Sequence, residues 1–214
     1  MSARTLPPKV VAMWTTLFDG TNTSLRNWRM STITNQPGND NPGTFDLVDG
    51  TLVVRSGSDI GLYWYTRPAP ADYELALEFK QSALADNSGV FVRFPDPNSK
   101  GYNNTAYVAV DFGFEIQIDG AGVPDGAPKH LTGAVYNIED QDFTLSPARP
   151  AGEWNELAVV IVGQTYTVRL NGRQTARFHN TNPMRGIASP AFVGLQSHPS
   201  SGPVAFRGIR IRQL

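Results

Sequence analysis

The 214-residue chain contains no cysteine. That absence excludes a disulfide framework, a thiolate zinc site, an iron–sulfur cluster and a cysteine nucleophile, while leaving the redox compartment open. An excess of one charge is also lacking. Lys and Arg number 18 and Asp and Glu 19, for a net charge of −1, which is no electrostatic footprint for nucleic acid or an anionic membrane. No run approaches the roughly 20 apolar residues that span a bilayer. Val10–Trp14 is too short for the apolar core of a signal peptide, and only Arg4 and Lys9 precede it. As written, the sequence reads as soluble, either cytoplasmic or exported with its leader removed. His-Glu-x-x-His, Gly-x-Ser-x-Gly and phosphate-binding glycine loops are all missing, so hydrolase triads and nucleotide binding have no support. Capped helical stripes of about twelve residues are missing too, with only a short helical turn expected near Leu84.

What the chain does have is turn formers and a period of two. It carries 20 glycines and 16 prolines, with 40% of residues apolar, which predicts a substantial core interrupted by many turns. Tyr73 to Lys80 alternates apolar and polar side chains over a strand length, as a half-buried strand does. The same alternation predicts strands at Thr51–Arg55, Gly89–Phe94, Phe112–Ile118, Tyr166–Leu170, Phe192–His198 and Val204–Arg212. Asp49-Gly50 and Asn171-Gly172 supply the positive φ angles of tight hairpins. Leu157–Val162 is apolar on both parities, so it is expected in mid-sheet with both faces packed. Nothing divides the chain internally. A Pro-containing tail over residues 1–12 and one domain over 13–214 are expected. Many strands without helices mean an all-β sandwich, barrel or jelly roll.

Strand parity picks out the candidate site. With Val90, Val92 and Phe94 inward, Gly89, Phe91 and Arg93 share the other face of their strand. With Phe112, Phe114, Ile116 and Ile118 inward, Glu115 and Gln117 turn out. Gln196 and His198 turn out beside Gly194, and Glu78 turns out opposite Leu77 and Phe79. If these strands are neighbours, a cross-strand spacing of about 5 Å brings the six polar groups into mutual reach. An ordinary wet sheet face would alternate in the same way. Against that bland reading, this set is rich in amides, Arg and His, and glycines lie beside it, as where a ligand approaches backbone closely or where a strand bulges. Tyr63, Trp64, Tyr65 and Phe91 are candidates for stacking on sugar rings, although core or rim positions suit them equally. Asp119, Asp125, Asp140 and Asp142 lack the calcium-loop spacing.

An ordered series of short motifs goes further. It includes Leu17-Phe18-Asp19-Gly20, Val48-Asp49-Gly50-Thr51-Leu52, Asn87-Ser88-Gly89-Val90-Phe91-Val92-Arg93, Phe114-Glu115-Ile116-Gln117-Ile118, Thr132-Gly133-Ala134-Val135-Tyr136, Gly152-Glu153-Trp154-Asn155 and Gly194-Leu195-Gln196-Ser197-His198. From Met13 to Leu214 the chain resembles the 3-keto-disaccharide hydrolase domain family. The resemblance implies a concanavalin A-like or laminin-G-like jelly roll of two antiparallel sheets, a carbohydrate partner and cleavage of glycosides already oxidised at C3. A C3 ketone acidifies the C2 proton, so such chemistry needs a base, an acid or a divalent metal ion near the enolate oxygen, and groups that orient hydroxyls. On that basis Glu115 is expected as base, His198 as acid or as metal ligand with Glu115, and Arg93 as the enolate's partner. Glu78, Gln117, Gln196, Phe91 and Trp64 are expected to bind substrate. Departures from the family pattern fall at Phe114, Pro199, Ala205 and Gly208. The alternative function is a non-catalytic, lectin-like carbohydrate-binding or interaction module, because fold alone does not decide activity.

Overall fold

The computed structural model describes residues 13–145, 148–187 and 189–214. The expected tail, residues 1–12, lies outside the described residues. Within them fourteen strands form two antiparallel sheets. The strands are β1 (Thr15–Phe18), β2 (Trp28–Met30), β3 (Thr44–Val48), β4 (Thr51–Arg55), β5 (Gly61–Ala69), β6 (Tyr73–Gln81) and β7 (Ser88–Phe94). They continue as β8 (Phe114–Ile118), β9 (Asp142–Phe143), β10 (Asn155–Val162), β11 (Thr165–Leu170), β12 (Arg173–His179), β13 (Ala191–Ser197) and β14 (Val204–Gln213). A nine-stranded sheet runs β3-β4-β14-β6-β10-β11-β12-β9, with β1 also on β14. A five-stranded sheet runs β2-β5-β13-β7-β8.

Both expected glycine hairpins form. Asp49 and Gly50 have φ of 46° and 75°, and Asn171 and Gly172 have 50° and 80°. Positive φ at both central positions matches the turn's twist to that of the strands it joins. Between the sheets, Leu75, Leu77 and Phe79 of β6 and Leu157, Val159 and Ile161 of β10 meet Val90, Val92, Ile116, Val193 and Leu195 of the small sheet. This two-layer burial of alternate residues is what makes the chain an all-β jelly-roll sandwich.

A second apolar cluster lies on the other face of the small sheet. The single α-helix among the described residues, α1 (Tyr107–Phe112), brings Ala109, with Ala106 just before it, onto Leu62, Trp64, Phe91, Phe94 and Phe192. That face is therefore covered over part of its area and open over the rest.

One local expectation is corrected and two are narrowed. Phe112 ends α1 and does not begin a strand, and β8 starts two residues later. A six-residue helix of sequence YVAVDF is too short, and too rich in β-branched and aromatic residues, to show a 3.6-residue stripe. β10 does lie inside a sheet, between β6 and β11, but its outer face is packed only in part: Ala158 is buried, Val160 half-buried and Val162 52% exposed. Near Leu84 the chain makes a single turn, with Asp86 N–H donating to the Ala83 carbonyl at 3.1 Å and the Asp86 carboxylate accepting from the backbone amides of Ser82 and Ala83 at 2.8 and 2.7 Å, and no longer helix follows. No helix among the described residues is long and apolar enough to cross a membrane.

Candidate active site

Three neighbouring strands of the small sheet build one recess. Gly194 of β13 stands opposite Phe91 of β7, and Phe91 opposite Glu115 of β8. One step along, Gly89 pairs with Gln117, and Leu195 pairs with Val90, which places Gln196 on the other side of Gly89. The recess exists because Gly89 has no side chain. A β-carbon there would overlap the Glu115 carboxylate, which lies across the position. Ser88 ties the two strands together by donating from its hydroxyl to the Gln196 carbonyl at 2.7 Å.

The result is a cavity of about 170 Å³ with two kinds of wall. Ile60, Phe91, Tyr107 and Val110 give it apolar surface, while Asn87, Glu115, Gln117, Gln196, His198 and Arg185 give it polar surface. Glu115, Gln117 and Gln196 are each more than nine-tenths buried. Among the described residues Asn87 Oδ1, Glu115 Oε1, Gln117 Oε1 and Gln196 Oε1 have no hydrogen-bond partner. These four oxygens face one small space without a partner, so donor groups brought into the cavity can pair with them.

Burial acts on the two titratable groups in opposite senses. It pushes the Glu115 carboxyl up to about 8, with the Gln196 amide pulling the other way. It pulls the His198 imidazole below its ordinary value, opposed by the Pro199 carbonyl. His198 Nδ1 lies 2.8 Å from that carbonyl, which can only accept, so Nδ1 carries the proton and Nε2 the lone pair. At neutral pH the cavity therefore holds a carboxylic acid and a neutral imidazole.

Arg93 is not part of this site. It sits at φ = 57°, and the register between β7 and β13 shifts beside it. The left-handed residue breaks the alternation, so Phe94 joins Phe91 in the outer cluster while the Arg93 side chain turns into the protein, fully buried. There Nη2 donates to the carbonyls of Ala71 and Gly163, the latter at 3.0 Å. Glu78 belongs to the other sheet, where Arg207 clasps it at 2.8 and 3.0 Å. Trp64 shares the Phe91 face but packs edge-on against Phe192 inside the α1 cluster and does not line the cavity.

The guanidinium at the cavity is Arg185, which sequence reasoning missed. Its Nε and Nη2 donate to the Val110 and Gly113 carbonyls at the end of α1, at 2.6 to 3.2 Å, and its fork lies 4.6 Å over the Phe114 ring. Tyr107, Tyr136 and Asn87 were missed as well. Asn87 and Tyr136 stand inside motifs that had been singled out, and extending the β7 parity two residues back would have found Asn87. Tyr136 reaches the site because residues 133–136 pair alongside β8, its amide donating to the Glu115 carbonyl at 2.8 Å. Asp119 organises the intervening loop, accepting from the amides of Ala121, Gly122 and Val123 at 2.8 to 3.0 Å.

Residues 13–212 match the 3-keto-alpha-glucoside-1,2-lyase-like domain. The chain belongs to that family. Among solved structures it is similar to a provisionally assigned glycosyl hydrolase from Parabacteroides distasonis ATCC 8503, at 24% identity and a TM-score of 0.68, covering 94% of this chain and 100% of that one. It also shares its fold with the carbohydrate-binding module CBM66 from Bacillus subtilis, at 12% identity and a TM-score of 0.55 over 87% and 96% of the two chains. Lectin I-B4 from Griffonia simplicifolia is a third, at 13% identity and a TM-score of 0.55 over 93% and 98%. No curated protein sequence matches the chain. Membership of the lyase-like family makes the function carbohydrate-related, and the structural likenesses establish the jelly-roll fold. No three His, Cys, Asp or Glu side chains that could hold a metal ion come together among the described residues, so Glu115 and His198 have no third ligand of that kind.

Proposed function

We propose that this lyase-like domain cleaves 3-keto-glycosides by elimination across C1 and C2, with hydration of the unsaturated product completing a net hydrolysis. The observation that carries the reading is that Glu115 and His198 line one cavity, where burial favours the protonated carboxyl of the one and the neutral imidazole of the other. Environments that push two titratable groups apart mark out the acid and the base, and here they favour His198 as base and Glu115 as acid, the reverse of the roles expected from the sequence. His198 Nε2 takes the proton from C2. The C2–H electron pair first forms the C2=C3 enolate, with negative charge on the C3 oxygen; the C3 carbonyl then re-forms as the pair makes the C1=C2 bond and the C1–O bond breaks, and the Glu115 proton passes to the departing oxygen. Arg185 stands in for Arg93 as the cation facing negative charge on the C3 oxygen. Solvent then returns a proton to Glu115 and removes one from His198.

The walls suit a sugar. Sugar hydroxyls can donate to the unpartnered amide oxygens of Asn87, Gln117 and Gln196 and pair with the Glu115 carboxyl, and the apolar side offers contact to a ring's C–H face. The test is incubation with a 3-keto-glucoside carrying a chromogenic leaving group, beside the unoxidised glucoside, with and without chelator. Release from the keto substrate alone supports the reaction. Binding of saccharides with no release from either would instead favour the lectin-like module, a reading supported by the fold shared with CBM66 and lectin I-B4.

A further inference from the structure

The cavity is smaller than its proposed substrates. About 170 Å³ lies well below the roughly 300 Å³ at which pockets enclosing whole drug-sized ligands begin. It has room for the ring that reacts, so a glycoside's leaving group must sit outside, against whatever forms the mouth. Two of the lining residues are large and exposed, Tyr107 at 38% and Tyr136 at 36%.

Neither ring is loose. Tyr107, on α1, donates its hydroxyl to Asp59 Oδ1 at 3.1 Å, and Asp59 is fixed in turn by the Asn104 amide at 2.9 Å. Tyr136, on the segment beside β8, packs against the His130 ring at 5.2 Å between centroids, and His130 Nδ1 pairs with Asp125 at 2.7 Å. Tyr107 is thus held directly by a carboxylate, and Tyr136 packs on an imidazole that a carboxylate anchors. An exposed ring already fixed in place costs little ordering entropy on binding and offers a large flat contact.

We infer that Tyr107 and Tyr136 form a leaving-group subsite that holds a second ring, a sugar or other cyclic aglycone, over the mouth of the cavity. This rests on the proposed cleavage for its description of which ring leaves, and it makes the domain selective for 3-keto-disaccharides over simple alkyl 3-keto-glycosides. The polar groups inside fix the reacting ring, and the two tyrosines set the preference for what is attached to it.

Two measurements test it. First, kcat and KM are compared for a 3-keto-disaccharide and a methyl 3-keto-glucoside in wild type, Tyr107→Ala, Tyr136→Ala and the double variant, with Tyr→Phe and Tyr→Leu at each position. The expected result is at least a tenfold loss of selectivity for the disaccharide in the double variant, carried in KM, with selectivity kept by Tyr136→Phe but not by Tyr136→Leu, which keeps the bulk without the flat ring, and partly lost in Tyr107→Phe, which lacks the hydroxyl that Asp59 holds. An unchanged selectivity ratio overturns the subsite. Second, calorimetry with unreactive disaccharide and monosaccharide reads binding without turnover. At least tenfold tighter binding of the disaccharide, lost in the double variant, supports the subsite even if no keto substrate is cleaved. Equal binding of the two by wild type overturns it even if cleavage is seen.

Discussion

The Glu115 carboxylate occupies the space that a side chain at Gly89 would fill. Gly89 is in extended backbone on a central strand, where glycine ordinarily weakens a sheet. Its presence there is explained by the group lying over it. Gly89→Ala is therefore expected to displace Glu115 and lower kcat/KM at least tenfold, while the lost glycine entropy keeps the change in stability within about 1 kcal/mol. Thermal unfolding alongside kinetics separates the two effects.

Glu115 also fixes a pH dependence of stability. Its folded value of about 8 lies above the ordinary 4.5, so between those limits the folded protein keeps a proton that the unfolded chain has lost. Stability then falls as pH rises through the window, by up to about 1.4 kcal/mol per pH unit for one proton, and levels off above 8. Glutamine cannot ionise. Glu115→Gln should flatten the slope, so that its stability relative to wild type improves from pH 5 to pH 8 in denaturant titrations.

Arg93 and Glu78 should behave as structural residues. Arg93→Ala leaves the Ala71 and Gly163 carbonyls without their donor and is expected to cost about 1–3 kcal/mol. Glu78→Ala breaks a half-exposed pair with Arg207 worth roughly 0–1 kcal/mol and should leave turnover of a 3-keto-glucoside unchanged. Arg185→Ala, by contrast, should reduce kcat/KM by about 10²-fold or more. Arg185→Ala activity equal to wild type would remove Arg185 from the site.

Much of this architecture is legible in the sequence, and the failures have definite causes. Alternation places Glu115, Gln117 and Gln196 on one face because β7, β8 and β13 are regular over those residues and adjacent in one sheet. The same alternation misplaces Arg93, because a positive φ at a non-glycine residue leaves no mark in composition. Glu78 has the right parity but the wrong sheet, and parity carries no information about which strands become neighbours. Trp64 is one of several neighbouring aromatics, and the sequence does not show that a short helix far along the chain covers it. Arg185 lies in the loop after β12, where no period exists to read. The opposite shifts of Glu115 and His198 depend on burial, which only the packed structure sets.

The most direct test of the acid and base roles is the pH dependence of kcat/KM on a 3-keto-glucoside, for wild type and Glu115→Gln. With Glu115 as acid and His198 as base, the wild-type rate rises at acidic pH as His198 loses its proton, holds through neutrality and falls above about pH 8 as Glu115 ionises. In Glu115→Gln the residual rate should be about 10²–10⁴-fold lower and lack the alkaline fall. A wild-type rate that climbs through pH 8 to a plateau would contradict the account, because it would make ionised Glu115 the base.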